Sequence, residues 1–264
     1  MEWLQDLLPK LYSLMLKHKF TPERQKRFTL IDSKAVQLVS EIVKPSKNDT
    51  ICLFYDGPCF LADSLKKSKL VLVEEEPFTS MLSKEFTGIE VRNARGFHIP
   101  KGCKVVLSDF KKFSDEEWCE ALSKAKTVTV TCSDDDYFKL TAEPVLVDYS
   151  PLTVATQTLA FIEEEVTLQQ NDFHPRPPSP RKVLRFKTVA KNPVKGRELE
   201  FLAFLKKVFK YKNKNAAKAL RLSLPEMPEP KARKLVEGLG LDEAKVFQVE
   251  VDEFVDLFNS LPLK

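Results

Sequence analysis

The stretch I-C-L-F-Y-D-G-P-C-F-L-A-D-S-L-K-K-S-K-L-V-L-V-E-E-E-P, residues 51–77, constrains the architecture more than any other part of the chain. Its two short apolar runs, Thr50–Phe54 and Leu70–Val73, fit strands buried on both faces, as in parallel sheets. The residues between them supply one helix, the connection that two parallel strands require. Strand-like runs recur at 89–91, 104–107, 127–131, 144–147 and 183–186, with helical patterns between most of them. Such alternation predicts an α/β fold with a mostly parallel sheet and helices on both faces.

The turn after the first run has the position of a nucleoside-cofactor loop, where glycines permit a tight turn and a close backbone approach to the ligand. Only Gly57 remains there, with Tyr55 and Cys59 where further glycines are expected. A Tyr side chain at 55 projects into the space a cofactor needs unless the loop has moved. The second strand ends in Glu74-Glu75-Glu76. An acid there is either a partner for ribose hydroxyls or part of a solvated strand end, and the sequence leaves both open. Seven glycines among 264 residues argue against an elaborate phosphate cradle.

The net charge of +4 conceals a sharp asymmetry. Residues 174–221 carry 15 Lys+Arg against 2 Asp+Glu, a net of +13, while residues 1–173 stand at −5 and residues 222–264 at −4. A block almost free of acids is the electrostatic footprint of a polyanion partner. Its alternative is a solvated basic face.

A helix is predicted over 2–19, then a linker with Pro22 and a helix over 33–43. Residues 151–170 read as a helix or a strand pair, which periodicity does not separate. Four prolines in residues 175–180 break regular structure, and a helix-rich tail follows from 198 to 264. The expected division is a domain over 1–188 and a small helical domain over 189–264, basic at its start. The five cysteines and three histidines show no metal-ligand spacing, so no metal is expected and the thiols are read as free and mostly buried. No apolar run approaches bilayer length and the first residues lack a secretory pattern. A cytoplasmic protein with no membrane partner is expected. Nothing marks a heptad or symmetric patch, so a monomer is expected.

Four segments resemble the rRNA adenine dimethyltransferases that act near the 3′ end of small-subunit rRNA. Q-K-R-F-T-L-I-D, Gln25–Asp32, resembles the family's opening signature, one residue longer. Phe173, Pro175 and Pro177 match its F-x-P-x-P pattern, with Ser179 and Arg181 departing from the residues expected next. Val208–Leu220 is similar to its basic helix, and Val249–Leu261 to its closing helix.

The resemblance implies a Rossmann-like methyltransferase domain whose cofactor positions are Gln25, Tyr55, Gly57, Cys59, Glu74 and Asn93. The family's E-I-G-P-G-x-G loop falls on residues 53–59, where one glycine survives. Its ribose acid falls on Glu74, and the acid for the adenine amine of S-adenosylmethionine falls near Asn93. The catalytic N-x-P-[YF] motif, whose acceptors draw on the amine protons of a flipped base while an aromatic ring stacks on it, falls on Ser108, Asp109, Phe110 and Phe113, without Asn or Pro. Asp109 is either an amine acceptor or an ordinary strand end or helix cap.

The resemblance thus implies a member that keeps small-subunit rRNA or ribosome binding, for assembly or occupancy, with methyl transfer lost or impaired and S-adenosylmethionine absent or weakly bound. Candidate RNA-binding residues are Lys111, Lys112, Arg176, Arg181, Lys182, Lys206, Lys207, Lys210, Lys212, Lys214 and Lys218. Positions 207, 210, 214 and 218 are expected on one helix face, with Phe201, Leu205, Val208 and Phe209 as the buried stripe. Two other readings stand beside this one. The first is an active S-adenosylmethionine-dependent dimethyltransferase with divergent motifs. The second is a transcription cofactor of the related mitochondrial type, against which the lack of an Arg-rich targeting segment counts.

Overall fold

The structure, a computed structural model, describes residues 28–57, 60–76, 78–86 and 88–261. The helix predicted over 2–19, together with Pro22, Gln25 and Cys59, lies outside the described residues. Two compact units form: Met1–Phe113 with Lys124–Asp134 and Ile162–Lys187, and Ser114–Ser123 with Asp135–Phe161 and Thr188–Lys264.

The first unit is built on β1 (Thr29–Leu30), α1 (Ser33–Val43), β2 (Thr50–Phe54), α2 (Phe60–Leu65), β3 (Lys69–Glu74), α3 (Phe78–Glu85), β4 (Glu90–Asn93), β5 (Lys104–Leu107), β6 (Thr127–Cys132), most of β7 (Ala160–Leu168), β8 (Phe173–His174) and β9 (Arg181–Thr188). Seven strands form one sheet in the order β4-β3-β2-β5-β6-β9-β7. β2 pairs in parallel with β3 and β5, placing Leu53 beside Leu72 and Val106. β9 is antiparallel to β6, with Phe186 opposite Val128. The α/β class and mostly parallel sheet expected from the alternation are present. Ile51, Leu53, Phe60, Leu65, Leu72, Leu82 and Val106 are buried together in its core.

Local sequence explains the element ends. Asp32 caps α1 by accepting from Lys34 N and Ala35 N, each at 2.9 Å. At the other end of α1, the buried Lys104 ammonium donates to the Val43 and Lys44 carbonyls and pairs with Asp49 at 2.9 Å. A cation there meets the carbonyl end of the helix dipole. β1 and β8 form a two-stranded sheet in which Leu30 opposes Phe173, so two of the four family-like segments pair with each other.

The second unit contains α4 (Asp115–Lys124), α5 (Asp134–Thr141), α6 (Pro151–Leu159), α7 (Glu198–Phe209), α8 (Ala216–Ser223), α9 (Glu229–Gly238) and α10 (Val251–Asn259). Residues 151–168 prove to be a helix followed directly by a strand: Ser150 and Thr153 form a capping box ahead of Pro151, and the alternating A-F-I-E-E-E-V-T-L extends as β7. Phe201, Leu205, Val208 and Phe209 are buried, as the helical pattern predicts. Phe201 and Phe204 pack on Phe258 with ring centroids 5.1 and 5.6 Å apart.

Two expectations are corrected. The run at 144–147 is no strand but an exposed turn, with Val145 at a φ of 70°. The basic stretch 206–218 is not one helix: α7 ends at Phe209, residues 210–214 turn, and Asn215 caps α8 by accepting from Lys218 N at 3.0 Å. An Asn favours such a cap over a helix interior, which is why the four lysines expected on one face are split between α7, the turn and α8. Among the described residues no helix is long and apolar enough to cross a membrane.

Candidate functional site

In this sheet the chain runs from β2 outward through β3 to β4, then returns to β5 on the other side of β2. The carboxyl ends of β2 and β5 therefore form a topological switch point, the usual ligand crevice of open α/β sheets. Of the positions named above, Tyr55 and Gly57 follow β2 and Ser108 and Asp109 follow β5, and these come together here because Phe54 and Leu107 are neighbours in register.

The loop after β2 keeps the backbone of a glycine turn with one glycine. Tyr55 has a φ of 58° and Gly57 one of 61°. A Cβ built on Gly57 meets Thr29 Oγ1 only at 3.9 Å, so Gly57 is favoured by its φ and not by crowding. Tyr55, which has no such freedom, is strained and buried. Its ring stands edge-on to Phe113 at 6.2 Å, Phe113 stands edge-on to Phe54 at 5.0 Å, and Phe97 packs on Phe54 at 5.7 Å. Four aromatic rings thus fill the space beside the loop.

Its acids are engaged as well. Glu74, 1 % exposed, accepts the Gly57 N–H at 2.7 Å. Asp56, buried beside it, accepts from Leu61 N at 3.2 Å and from the Ser108 hydroxyl at 3.3 Å. Burial, and then the nearby Glu74 charge, push the Asp56 carboxyl up to about 7 against those hydrogen bonds. Asn93 turns its side-chain oxygen to Arg95 N at 2.8 Å. The acids of this loop are thus already hydrogen-bonded, Glu74 to the Gly57 N–H and Asp56 to Leu61 N and Ser108, and the Tyr55 and Phe113 rings pack beside them.

Ser108 and Asp109 stand at the end of β5. Asp109 caps the short turn Phe110–Lys112, accepting from Lys111 N at 3.3 Å, and pairs with Arg181 at 3.0 Å. Both side chains are largely enclosed, 16 % and 5 % exposed. Arg181 also lies over the Phe28 ring at 5.5 Å. Asp109 thus caps this turn while its carboxylate pairs with Arg181. Phe110 is buried.

The basic block divides in two. Arg181, Lys182, Arg185 and Lys187 are consumed within the first unit, by Asp109, by Glu165 at 2.6 Å, by Glu163 and Glu164, and by Glu163 respectively. Lys206 pairs with Asp115 and Glu116 at 2.7 and 2.8 Å. Burial opposes its charge, but those hydrogen bonds raise its pKa overall. Lys112 lies 3.6 Å from Glu75. Lys111, Arg176, Lys207, Lys210, Lys212, Lys214 and Lys218 are exposed, without an ion pair among the described residues. Five of those seven, Lys207 to Lys218, belong to α7, the turn and the start of α8. That turn is tied down: Val246 N donates to Lys214 O at 3.1 Å and Phe247 N to Lys212 O at 3.3 Å.

Sequence reasoning missed Asp56, Phe97 and the Glu163–Glu165 run. Asp56 sits next to the one surviving glycine, a signal within reach. Phe97 has none, because its contact with Phe54 depends on strand order.

No protein-family model matches the chain. It is 28 % identical over 144 residues to the ribosomal RNA small subunit methyltransferase A of Chlamydia muridarum, covering 54 % of this chain and 51 % of that protein. The Lactobacillus helveticus protein of the same name is 24 % identical over 127 residues, 48 % of this chain and 42 % of its own. A dimethyladenosine transferase from Plasmodium falciparum superposes with a TM-score of 0.69 over 86 % of this chain and 94 % of its own, at 14 % identity. In sequence the chain is similar to these small-subunit rRNA methyltransferases over about half its length, and in fold to the dimethyladenosine transferase. The 23S rRNA methyltransferase ErmE shares the fold, with a TM-score of 0.61 over 88 % of this chain and 98 % of its own, at 20 % identity. The chain spans about half the length of the curated proteins it matches. The Rossmann-like α/β methyltransferase fold is the one these structures share with it.

Proposed function

We propose that the protein binds small-subunit rRNA or the small ribosomal subunit without transferring methyl groups, as an assembly or occupancy factor. The observation that supports this reading is the loop after β2, in which Glu74 accepts the Gly57 N–H and the Tyr55 ring packs edge-on to Phe113. A fold related to rRNA methyltransferases, with its cofactor loop closed on itself, retains what the exposed lysines offer: phosphate contact. In this reading Lys207, Lys210, Lys212, Lys214 and Lys218 form the main RNA surface of the 189–264 domain, and Lys111 and Arg176 offer further contacts. Recognition is by backbone and shape, with little base reading. The factor acts as a cytoplasmic monomer.

Gel-shift titration against protein-free small-subunit rRNA over a salt series tests it. Tight binding whose salt dependence weakens when the turn lysines are neutralised supports the reading. Absence of binding refutes it.

A second reading, an active dimethyltransferase with divergent motifs, draws on the names of its curated relatives. It requires the Tyr55 and Phe113 rings to leave the crevice and Asp109 to leave Arg181.

A further inference from the structure

The loop between α5 and α6, A-E-P-V-L-V-D-Y, exposes three consecutive apolar side chains: Val145, Leu146 and Val147 are 62, 52 and 87 % exposed. A β-branched residue at a φ of 70° is strained, and Val145 is held there because its N–H donates to Phe247 O at 2.8 Å. The loop closes on its own backbone, Leu146 N donating to Glu143 O at 3.3 Å and Tyr149 N to Leu146 O at 3.1 Å. The Tyr149 hydroxyl anchors its base to Val249 O at 2.8 Å. An apolar tip held outward on a braced loop has the character of an interaction site.

We propose that this tip docks a basic protein of the small ribosomal subunit, an inference that rests on the function proposed above. Charge selects the partner class. Glu143 and Asp148 flank the tip, exposed and without ion pairs among the described residues. In the hollow beside Val147, Asp148 carries the unpaired carboxylate, while Asp115 is held by Lys206. Carboxylates at both ends repel phosphate, whether of RNA or of an anionic membrane, and attract a basic rim around an apolar pocket. The lysine turn and the tip hydrogen-bond to one shared segment. Phe247 accepts from Val145 through its carbonyl and donates to Lys212 through its N–H, so the tip and the lysine turn flank the same residue. A ribonucleoprotein presents both chemistries that such a surface needs.

The test compares affinity for intact small subunits with affinity for their protein-free rRNA. The Leu146→Ser, Val147→Ser double variant changes only exposed side chains, and circular dichroism checks its fold. The expected result is a loss of about tenfold on intact subunits and none on free rRNA. A Glu143→Lys, Asp148→Lys variant should also lose affinity for intact subunits while gaining it for free rRNA. Equal loss on both targets from the apolar variant would assign the tip to RNA, and no loss on either would leave it without a docking role; both overturn the proposal. A native protein that binds neither target removes the proposed function itself and this inference with it.

Discussion

Glu74 and Gly57, seventeen residues apart, are joined by a 2.7 Å hydrogen bond from the loop N–H to the carboxylate at the end of β3. The acid that the family resemblance assigns to a ribose braces the loop after β2. Replacing it by Ala therefore costs fold stability, about 1–3 kcal/mol for the lost acceptor in a buried place. Urea unfolding of Glu74→Ala checks this. A variant as stable as the native protein would mean the bond contributes nothing.

Asp56 gives the loop a pH signature. Its folded value, raised to about 7 from 3.8, means the folded state holds the proton more tightly than the unfolded chain. The resulting stability is complete below about pH 4 and is lost as pH rises through 7. Asp56→Asn cannot ionise, so its stability relative to the native protein should rise by about 2–3 kcal/mol between pH 5 and pH 8. Chemical denaturation at the two pH values measures the difference, and a pH-independent gap contradicts the assignment.

Arg181 and Asp109 form an enclosed pair, so either single Ala substitution strands a charge and should cost about 3–5 kcal/mol. The double substitution should cost clearly less than the sum of the singles. A double-mutant cycle in urea gives the coupling. Additive effects would mean the two charges are screened from each other.

Lysines of the basic block should separate by function. Neutralising Lys210, Lys212 and Lys214 together should lower the slope of log affinity against log salt by about 2–3, one phosphate for each. Lys206→Ala should leave that slope unchanged, because its ammonium is held by Asp115 and Glu116. Filter binding to small-subunit rRNA at several salt concentrations distinguishes them. A Lys206 effect as large as that of a turn lysine would contradict the division.

Strands were legible in the sequence wherever burial on both faces leaves a continuous apolar run, as at Thr50–Phe54 and Lys104–Leu107. The same rule misread V-L-V at 145–147, since three apolar residues look alike whether a sheet covers them or a loop exposes them. At the site, the missing glycines and Glu74 were visible one residue at a time. The ring cluster was not, because Phe97 and Phe113 reach Phe54 only through strand order. Charge counting found the basic block but not its division, because the acids that neutralise Arg181, Lys182, Arg185, Lys187 and Lys206 lie outside the block in sequence.

Isothermal titration of the purified protein with S-adenosylmethionine tests the proposed loss of methyl transfer most directly. On the proposed reading no detectable heat is expected from the native protein, with Tyr55 packed on Phe113 and Glu74 bonded to the Gly57 N–H. Micromolar binding, about −8 kcal/mol, would contradict this and return the protein to the active methyltransferases.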